Sequence, residues 1–198
     1  MTKYCKVMEL LDHNHMVREA IDVSMSVDLP NWCIVGGLIR DLAWGKILGR
    51  EVPPRDIDLI YFDPMNTTPE KDWEIEEHLS NLSGLPFRLN NQARMHQFNS
   101  EARYISVVDA MTKFPTTVSA IGISGSENRT PLVFSIFGYG ALFEPVFQIT
   151  PHFSNSRRQK DFSEYLHRNG LFERWPEVPV NPIPECSTNA NVVTSVKP

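Results

Sequence analysis

The chain has 198 residues, of which 41% are hydrophobic and 22% are charged, and its formal net charge is −5. This length suits one well-buried core and excludes a chain that is disordered throughout. No apolar run approaches the roughly 18 to 20 residues that cross a bilayer. The N-terminus has acidic residues where a signal peptide needs apolar ones, and the three cysteines show no paired spacing. We therefore expect a soluble, cytoplasmic protein without general affinity for DNA.

The first third of the sequence alternates between helix and strand patterns. Apolar residues at three- and four-residue spacing predict one or two helices within 7–27. The apolar run 32–35 predicts a short strand that ends at Gly36 and Gly37, and the helical pattern returns over 38–48. These residues therefore predict a strand, a glycine turn and a helix in succession.

The remaining residues predict a mixed sheet with helices on it. In chain order, we predict a strand over 56–61, a helix over 69–82, a strand over 86–90, a short helix over 106–111, strands over 117–123 and 132–137, and a helix over 157–168. Residues 178–198 are rich in Pro, Ser and Asn, which predicts a disordered tail after a single domain at 1–177. The fold class is therefore predicted to be α+β, a small mixed sheet flanked by helices.

Two aspartates within the second predicted strand are candidate metal ligands. Asp56 and Asp58 are two residues apart, so in a strand their side chains point to the same side of the sheet. Paired carboxylates of this kind suit Mg²⁺ or Mn²⁺, which bind through one or two carboxylates and the phosphates of a substrate. The alternative is a solvated strand face, and an isolated pair of this spacing does not separate the two interpretations.

The glycine turn adds a candidate phosphate site. Gly36 and Gly37 let the backbone approach a phosphate closely, and the helix that follows presents unpaired N–H groups at its start. Arg40 and Arg55 add positive charge near this turn, so an anionic nucleotide is compatible with the negative total charge. The glycine turn, the helix and the acidic strand together favour metal-dependent nucleotide chemistry.

These segments resemble a known superfamily. The hydrophobic-Gly-Gly and Asp-x-Asp motifs resemble those of the DNA polymerase β superfamily of nucleotidyltransferases, and residues 36–42 with 54–59 are similar to the head-domain motif of tRNA CCA-adding enzymes. Three blocks, at 56–63, 91–96 and 114–122, resemble more closely the DUF925 family, a bacterial group of stand-alone nucleotidyltransferase-like proteins. This closer resemblance extends over most of the chain, from about residue 16 to residue 175.

The resemblance implies roles for particular residues. It implies a polymerase-β-like fold in which Asp56 and Asp58 are the catalytic metal ligands, with Gly36 and Gly37 against the nucleotide phosphates. The superfamily normally adds a third carboxylate from a neighbouring strand, and this chain has Arg88 at the position where the closer family has an acid. An arginine does not bind Mg²⁺, but it can contact a phosphate.

Four polar residues follow that strand and are candidate contacts to a base, a sugar or an acceptor, namely Asn91, Gln92, Arg94 and His96. The alternatives are a surface ion pair for Arg94 and a hydrogen-bonded core imidazole for His96. The sequence does not separate these alternatives.

Two functions are compatible with these observations. The first is a nucleotidyltransferase that moves a nucleoside monophosphate from an NTP to a hydroxyl acceptor and releases pyrophosphate, with Mg²⁺ or Mn²⁺ as cofactor. The acceptor can be a small molecule, a protein or an RNA. The second is a catalytically impaired nucleotide-binding or interaction protein on the same fold, which the arginine at position 88 favours.

Overall fold

The computed structural model describes residues 2–126, 130–154 and 156–181. The helices of these ranges are, in chain order, α1 (Lys3–Asp12), α2 (His15–Ser24), α3 (Gly37–Leu48), α4 (Pro69–Ser83), α5 (Gln92–Phe98), α6 (Val107–Met111), α7 (Gly140–Phe143), α8 (Ser156–Arg168) and α9 (Leu171–Arg174). The strands are β1 (Cys33–Val35), β2 (Ile57–Tyr61), β3 (Phe87–Asn91), β4 (Ile121–Gly125), β5 (Pro131–Ser135), β6 (Phe147–Gln148) and β7 (Val180–Asn181). A 3-10 turn, Pro151–Phe153, precedes α8.

The main sheet has five strands in the order β3-β2-β1-β4-β5. Strand β1 is antiparallel to both of its neighbours, β2 and β4, whereas β2 and β3 are parallel. A second, two-stranded sheet pairs β6 with β7. The predicted fold class, a small mixed sheet flanked by helices, is confirmed.

Side chains alternate along β2 between a face of the sheet that packs against the main core and a face that is only partly covered. Ile57, Leu59 and Tyr61 are fully buried in the main core beneath the helices. Because successive side chains of a strand point to opposite faces, Asp58 and Ile60 lie on the other face. On that face Ile60 joins a smaller apolar cluster with residues of β1 and α6, which covers only part of the sheet.

A buried polar cluster attaches the end of the described chain to α3. Asp41 accepts hydrogen bonds from Arg40 at 2.8 Å, from Arg174 at 2.9 Å and from the Trp175 indole at 3.1 Å. The indole of Trp175 also packs edge-on against Trp44, with ring centroids 5.5 Å apart. Residues 174 and 175 therefore stabilise the helix that begins at the glycine turn.

Two predicted boundaries are wrong, and the short helices α5, α7 and α9 and the short strands β6 and β7 were missed. The predicted strand over 117–123 begins at Ile121, because Thr116 and Ser119 form a hydrogen-bonded turn just before it. The predicted tail begins too early, since Val178 is buried and β7 pairs with β6; residues 182–198 lie outside the described residues. Helix α5 is too short for its periodicity to stand out in the sequence.

No helix in the described ranges is both long enough and apolar enough to span a membrane.

We expect Gly45→Ala to destabilise the protein by about 1–3 kcal/mol. A Cβ atom at Gly45 would lie 2.7 Å from the carbonyl oxygen of Arg50, and this neighbour is backbone that cannot rotate away. Urea unfolding measures the change, with the exposed Lys46→Ala as the control that stays within about 0.5 kcal/mol. Because alanine is the better helix former, a more stable Gly45→Ala variant would contradict this close contact.

Candidate active site

The β1–β2 register places the diglycine turn beside the acidic pair. Val35 is directly opposite Asp58, so Gly36 follows β1 at the point where Asp58 lies on β2. A Cβ atom at Gly36 would lie 3.9 Å from Oδ2 of Asp58, and Gly36 has a φ of +66°, a conformation that favours glycine. The turn therefore brings the main chain close to the carboxylate.

Helix α3 begins in this turn and supplies a fixed cation. The first N–H groups of a helix have no partners within the helix and favour anions. One guanidinium nitrogen of Arg40, Nη2, would lie 3.9 Å from a Cβ atom built at Gly37. The Arg40 side chain is 8% exposed and is held by Asp41, with Nη2 2.7 Å from a carboxylate oxygen. Arg40 is thus a buried positive charge beneath the turn.

The pKa of Asp58 shows that the two carboxylates of the acidic pair repel each other when both are ionised. Burial, together with the neighbouring charge of Asp56, raises the pKa of Asp58 from its ordinary value to about 6. The positive charges of Arg40, Arg88 and Arg55 act in the opposite direction. Any additional cation at this position would stabilise the ionised form of the pair.

Two exposed arginines lie near Asp56. The Nε atoms of Arg88 and Arg55 lie 3.7 Å and 3.9 Å from Oδ2 of Asp56, and their side chains are 62% and 61% exposed. In the β2–β3 register Arg88 is the direct neighbour of Asp58. Exposed ion pairs of this kind contribute little to stability, so both side chains are able to turn towards an anionic ligand.

The structure adds two residues that the sequence did not indicate. Ser119 borders the glycine turn, since its Cβ would lie 3.9 Å from a Cβ atom at Gly36. Burial raises the pKa of Tyr165 on α8, with the charges of Asp58 and Asp56 adding to this effect and Arg40 opposing it. Tyr165 lies outside the motifs, and Ser119 lies within the 114–122 block but was given no role there, so only the tertiary structure places them at the site.

The turn between α8 and α9 forms a wall of the site. Nη1 of Arg55 donates a hydrogen bond of 3.5 Å to the carbonyl oxygen of Asn169. The same nitrogen would lie 3.9 Å from a Cβ atom at Gly170. The C-terminal part of the described chain therefore limits one side of the space near the acidic pair.

The candidate base or acceptor contacts lie at the other end of the strands. Asp58 is near the start of β2, whereas α5 starts where β3 ends; because β2 and β3 are parallel, the two places are separated by at least ~10 Å of strand. Asn91 is fully buried and accepts hydrogen bonds from the Asp63 and Ala93 amides. The structure does not bring this group to the acidic pair, and its contacts to a substrate stay a prediction for Asn91, Gln92, Arg94 and His96.

The donor set of the acidic pair fits a divalent ion that is shared with a ligand. Among the residues that the structure describes, no group of three or more His, Cys, Asp or Glu side chains could hold a metal. Mg²⁺ needs only one or two protein carboxylates when substrate phosphates and water complete its coordination. Asp56 and Asp58 meet that requirement, and no third carboxylate is added by β3, where Arg88 stands.

Comparison with known proteins gives a family and a similar fold. A family model described as "Nucleotidyltransferase" matches residues 23–180. Comparison with curated proteins gives no match. An NMR structure described as a CCA-adding enzyme head domain is similar over 88% of this chain and 94% of its own, at 23% identity and a TM-score of 0.76.

A longer solved structure is also similar. A crystal structure of a tRNA nucleotidyltransferase, complexed with a primer tRNA and an incoming ATP analogue, matches over 82% of this chain at 16% identity and a TM-score of 0.50. This chain spans 46% of that protein. Both similarities concern the fold.

We expect Asp58→Asn to stabilise the metal-free protein above pH 6. The folded state holds a proton on Asp58 up to pH about 6, whereas the unfolded state loses it near the model value of 3.8. Ionising the folded carboxylate therefore costs at most about 3 kcal/mol at neutral pH, a cost that asparagine removes. The gain should shrink as the pH falls from 6 towards 3.8, because below that value the carboxyl group is protonated in both states.

Urea unfolding in EDTA between pH 4 and pH 8 measures this difference. The exposed Asp28→Asn serves as the control for losing one negative charge. A gain from Asp58→Asn that is the same at every pH would contradict the origin of the effect in the titration of Asp58.

Proposed function

The chain belongs to the nucleotidyltransferase family, and we propose that it moves a nucleoside monophosphate from an NTP to a hydroxyl acceptor. The hydroxyl oxygen attacks the α-phosphorus and forms a new phosphate ester, the bond to the β-phosphate breaks, and pyrophosphate leaves. The hydroxyl proton passes to solvent or to the carboxylate pair. The observation that carries the proposal is the position of Asp58 directly beside the Gly36 turn.

Each element of the site has a role in this reaction. Asp56 and Asp58 hold the divalent ion, and their mutual repulsion in its absence favours binding. The turn at Gly36 and Gly37 lets the phosphates approach the N–H groups at the start of α3. Bound Mg²⁺ or Mn²⁺ would neutralise the triphosphate and stabilise the leaving pyrophosphate.

The arginines supply the remaining positive charge. Arg40 is buried and fixed by Asp41, so it acts as a constant charge beneath the turn. Arg55 and Arg88 are exposed, and we propose that they leave Asp56 to contact phosphate oxygens when the nucleotide binds. This exchange keeps the guanidinium groups paired in both states.

The acceptor is proposed by class. A small molecule, a protein and an RNA are all compatible with the acidic composition, and general DNA binding is not expected. The similarity to a tRNA nucleotidyltransferase supports including RNA in any acceptor panel. Membership of the DUF925 group and a cytoplasmic location remain predictions from the sequence.

We expect pyrophosphate release that depends on Mg²⁺ or Mn²⁺ and is lost in both Asp56→Asn and Asp58→Asn. Loss of a ligand to the ion should lower the rate by ~100-fold or more, beyond the effect of outer-shell partners. The assay combines each NTP with RNA, protein and small hydroxyl acceptors, and circular dichroism verifies folding. Asp28→Asn, an exposed carboxylate elsewhere, is the matched control. Equal release by the wild type and both site variants would refute the metal-dependent mechanism.

A second function is favoured by one observation. Arg88 is the β3 neighbour of Asp58 and contacts Asp56, so a cation stands where the resemblance implies an acid. Such a site could hold an NTP without activating the acceptor hydroxyl. The alternative is therefore a catalytically impaired nucleotide-binding or interaction protein.

If the chain has this second function, Arg88→Glu should raise the rate of pyrophosphate release by ~10-fold or more, because a carboxylate at this position can bind metal or accept a proton. Arg88→Gln is the matched control, since it removes the positive charge without adding a carboxylate. Steady-state rates with Mn²⁺ and the same acceptor panel compare the variants. Robust turnover by the wild type would rule out the second function. An unchanged rate in Arg88→Glu would contradict the assignment of Arg88 to the position of the third carboxylate.

A further inference from the structure

A second polar cleft lies between the loop after β2 and helix α5. We call it the α5 cleft; it has a volume of about 280 Å³, and its polar lining residues are Thr67, Arg94, His96, Gln97 and Arg103. None of its lining residues is acidic. All five polar side chains of the lining are of types that can donate a hydrogen bond, and two of them, Arg94 and Arg103, carry guanidinium groups.

Two of the lining side chains each contain a buried nitrogen atom without a hydrogen-bond partner. Nη1 of Arg94 and Nδ1 of His96 are buried without a hydrogen bond, and within the described part of the chain they are the only buried side-chain N or O atoms in this condition. Leaving such a group unpaired is unfavourable. The coincidence of both atoms at one cleft indicates a ligand that accepts hydrogen bonds.

Arg94 is held in place from behind. Its Nη2 lies 2.6 Å from Oδ2 of Asp72, and the Arg94 side chain is 11% exposed. Asp72 also accepts hydrogen bonds from the Tyr61 hydroxyl at 2.6 Å and the Asn91 amide at 2.9 Å. The Asp72 carboxylate thus fixes one edge of the Arg94 guanidinium group. This contact also fixes the orientation of Nη1, which has no hydrogen-bond partner of its own.

The other cationic residues complete the cleft. The His96 ring packs edge-on against Tyr104, with centroids 6.0 Å apart, which fixes the plane of the imidazole. Arg103 is exposed, and its side chain makes no ion pair within the described ranges. Asp72 neutralises the charge of Arg94. The charge of Arg103 is not neutralised in this way, so the net charge of the cleft is positive.

We propose that the α5 cleft binds a phosphate monoester, whose oxygens accept hydrogen bonds from Arg94, His96 and Arg103. Guanidinium groups recognise phosphate through paired N–H donors. The cleft is larger than a phosphate group alone, so a small organic part enters with it. The cleft is at the far end of β2 and β3 from Asp58, and this proposal does not depend on the proposed transferase reaction.

The test is a ¹⁵N NMR titration of the full chain in EDTA with inorganic phosphate, AMP or acetate at constant ionic strength. Phosphate and AMP should shift the amides of Ala93 and Gln97 with saturation below about 10 mM, and acetate should bind at least ~10-fold more weakly. A tighter fit for AMP than for inorganic phosphate identifies a nucleoside as the organic part. Equal binding of both still supports a phosphate site, with the specificity set by the phosphate group.

Variants locate the binding. Arg103→Gln and His96→Phe should each weaken phosphate binding by about tenfold, and His96→Phe keeps the ring contact with Tyr104. The exposed Lys160→Gln, which removes the same charge on α8, should leave the affinity within twofold, about 0.4 kcal/mol. Arg94 is left unchanged because its loss would strand the Asp72 carboxylate.

Three results would overturn the proposal: no shift at Ala93 and Gln97, shifts confined to Gly36 and Gly37, or acetate binding as tight as phosphate. Shifts confined to the glycine turn would contradict the α5 cleft while supporting phosphate binding at the site of the proposed reaction. Binding at the cleft with no pyrophosphate release would contradict the reaction and leave the cleft intact.

Discussion

Two partly buried carboxylates at the start of β2, Asp56 and Asp58, create an electrostatic cost that the surrounding residues offset. Burial and the charge of Asp56 both favour the protonated form of Asp58. The nearby guanidinium groups reduce this cost without removing it, because two of them are exposed and screened by water. A positive charge placed beside such a pair would lower this cost.

The buried Arg40 and the exposed Arg55 and Arg88 have different electrostatic roles. Arg40 is fixed by Asp41, and Asp41 in turn depends on Arg174 and Trp175. This arrangement prevents Arg40 from forming a direct, competing ion pair with Asp58, yet keeps its field beneath the turn. Arg55 and Arg88 are at the surface, where moving them costs little.

The sequence predicted the part of the site that is encoded locally. The register of Asp56 and Asp58, the glycine turn and the start of α3 all follow from short-range patterns, because strand alternation and turn chemistry act over a few residues. The positions of Tyr165 and Ser119 near the acidic pair and the glycine turn could not be predicted, because they depend on tertiary contacts between segments that are far apart in the sequence. Helix α5 was also missed, because seven residues are too few to define a period.

The cluster around Asp41 has a consequence for how the molecule is assembled during synthesis. A nascent chain that has emerged only through α3 has one partner for this carboxylate, Arg40, whereas the remaining two are 133 and 134 residues further on. Contacts of such long range form late. The strand and turn that carry the chemistry can therefore fold early, but the helix behind them reaches its final electrostatic environment only when almost all of the described chain has left the ribosome.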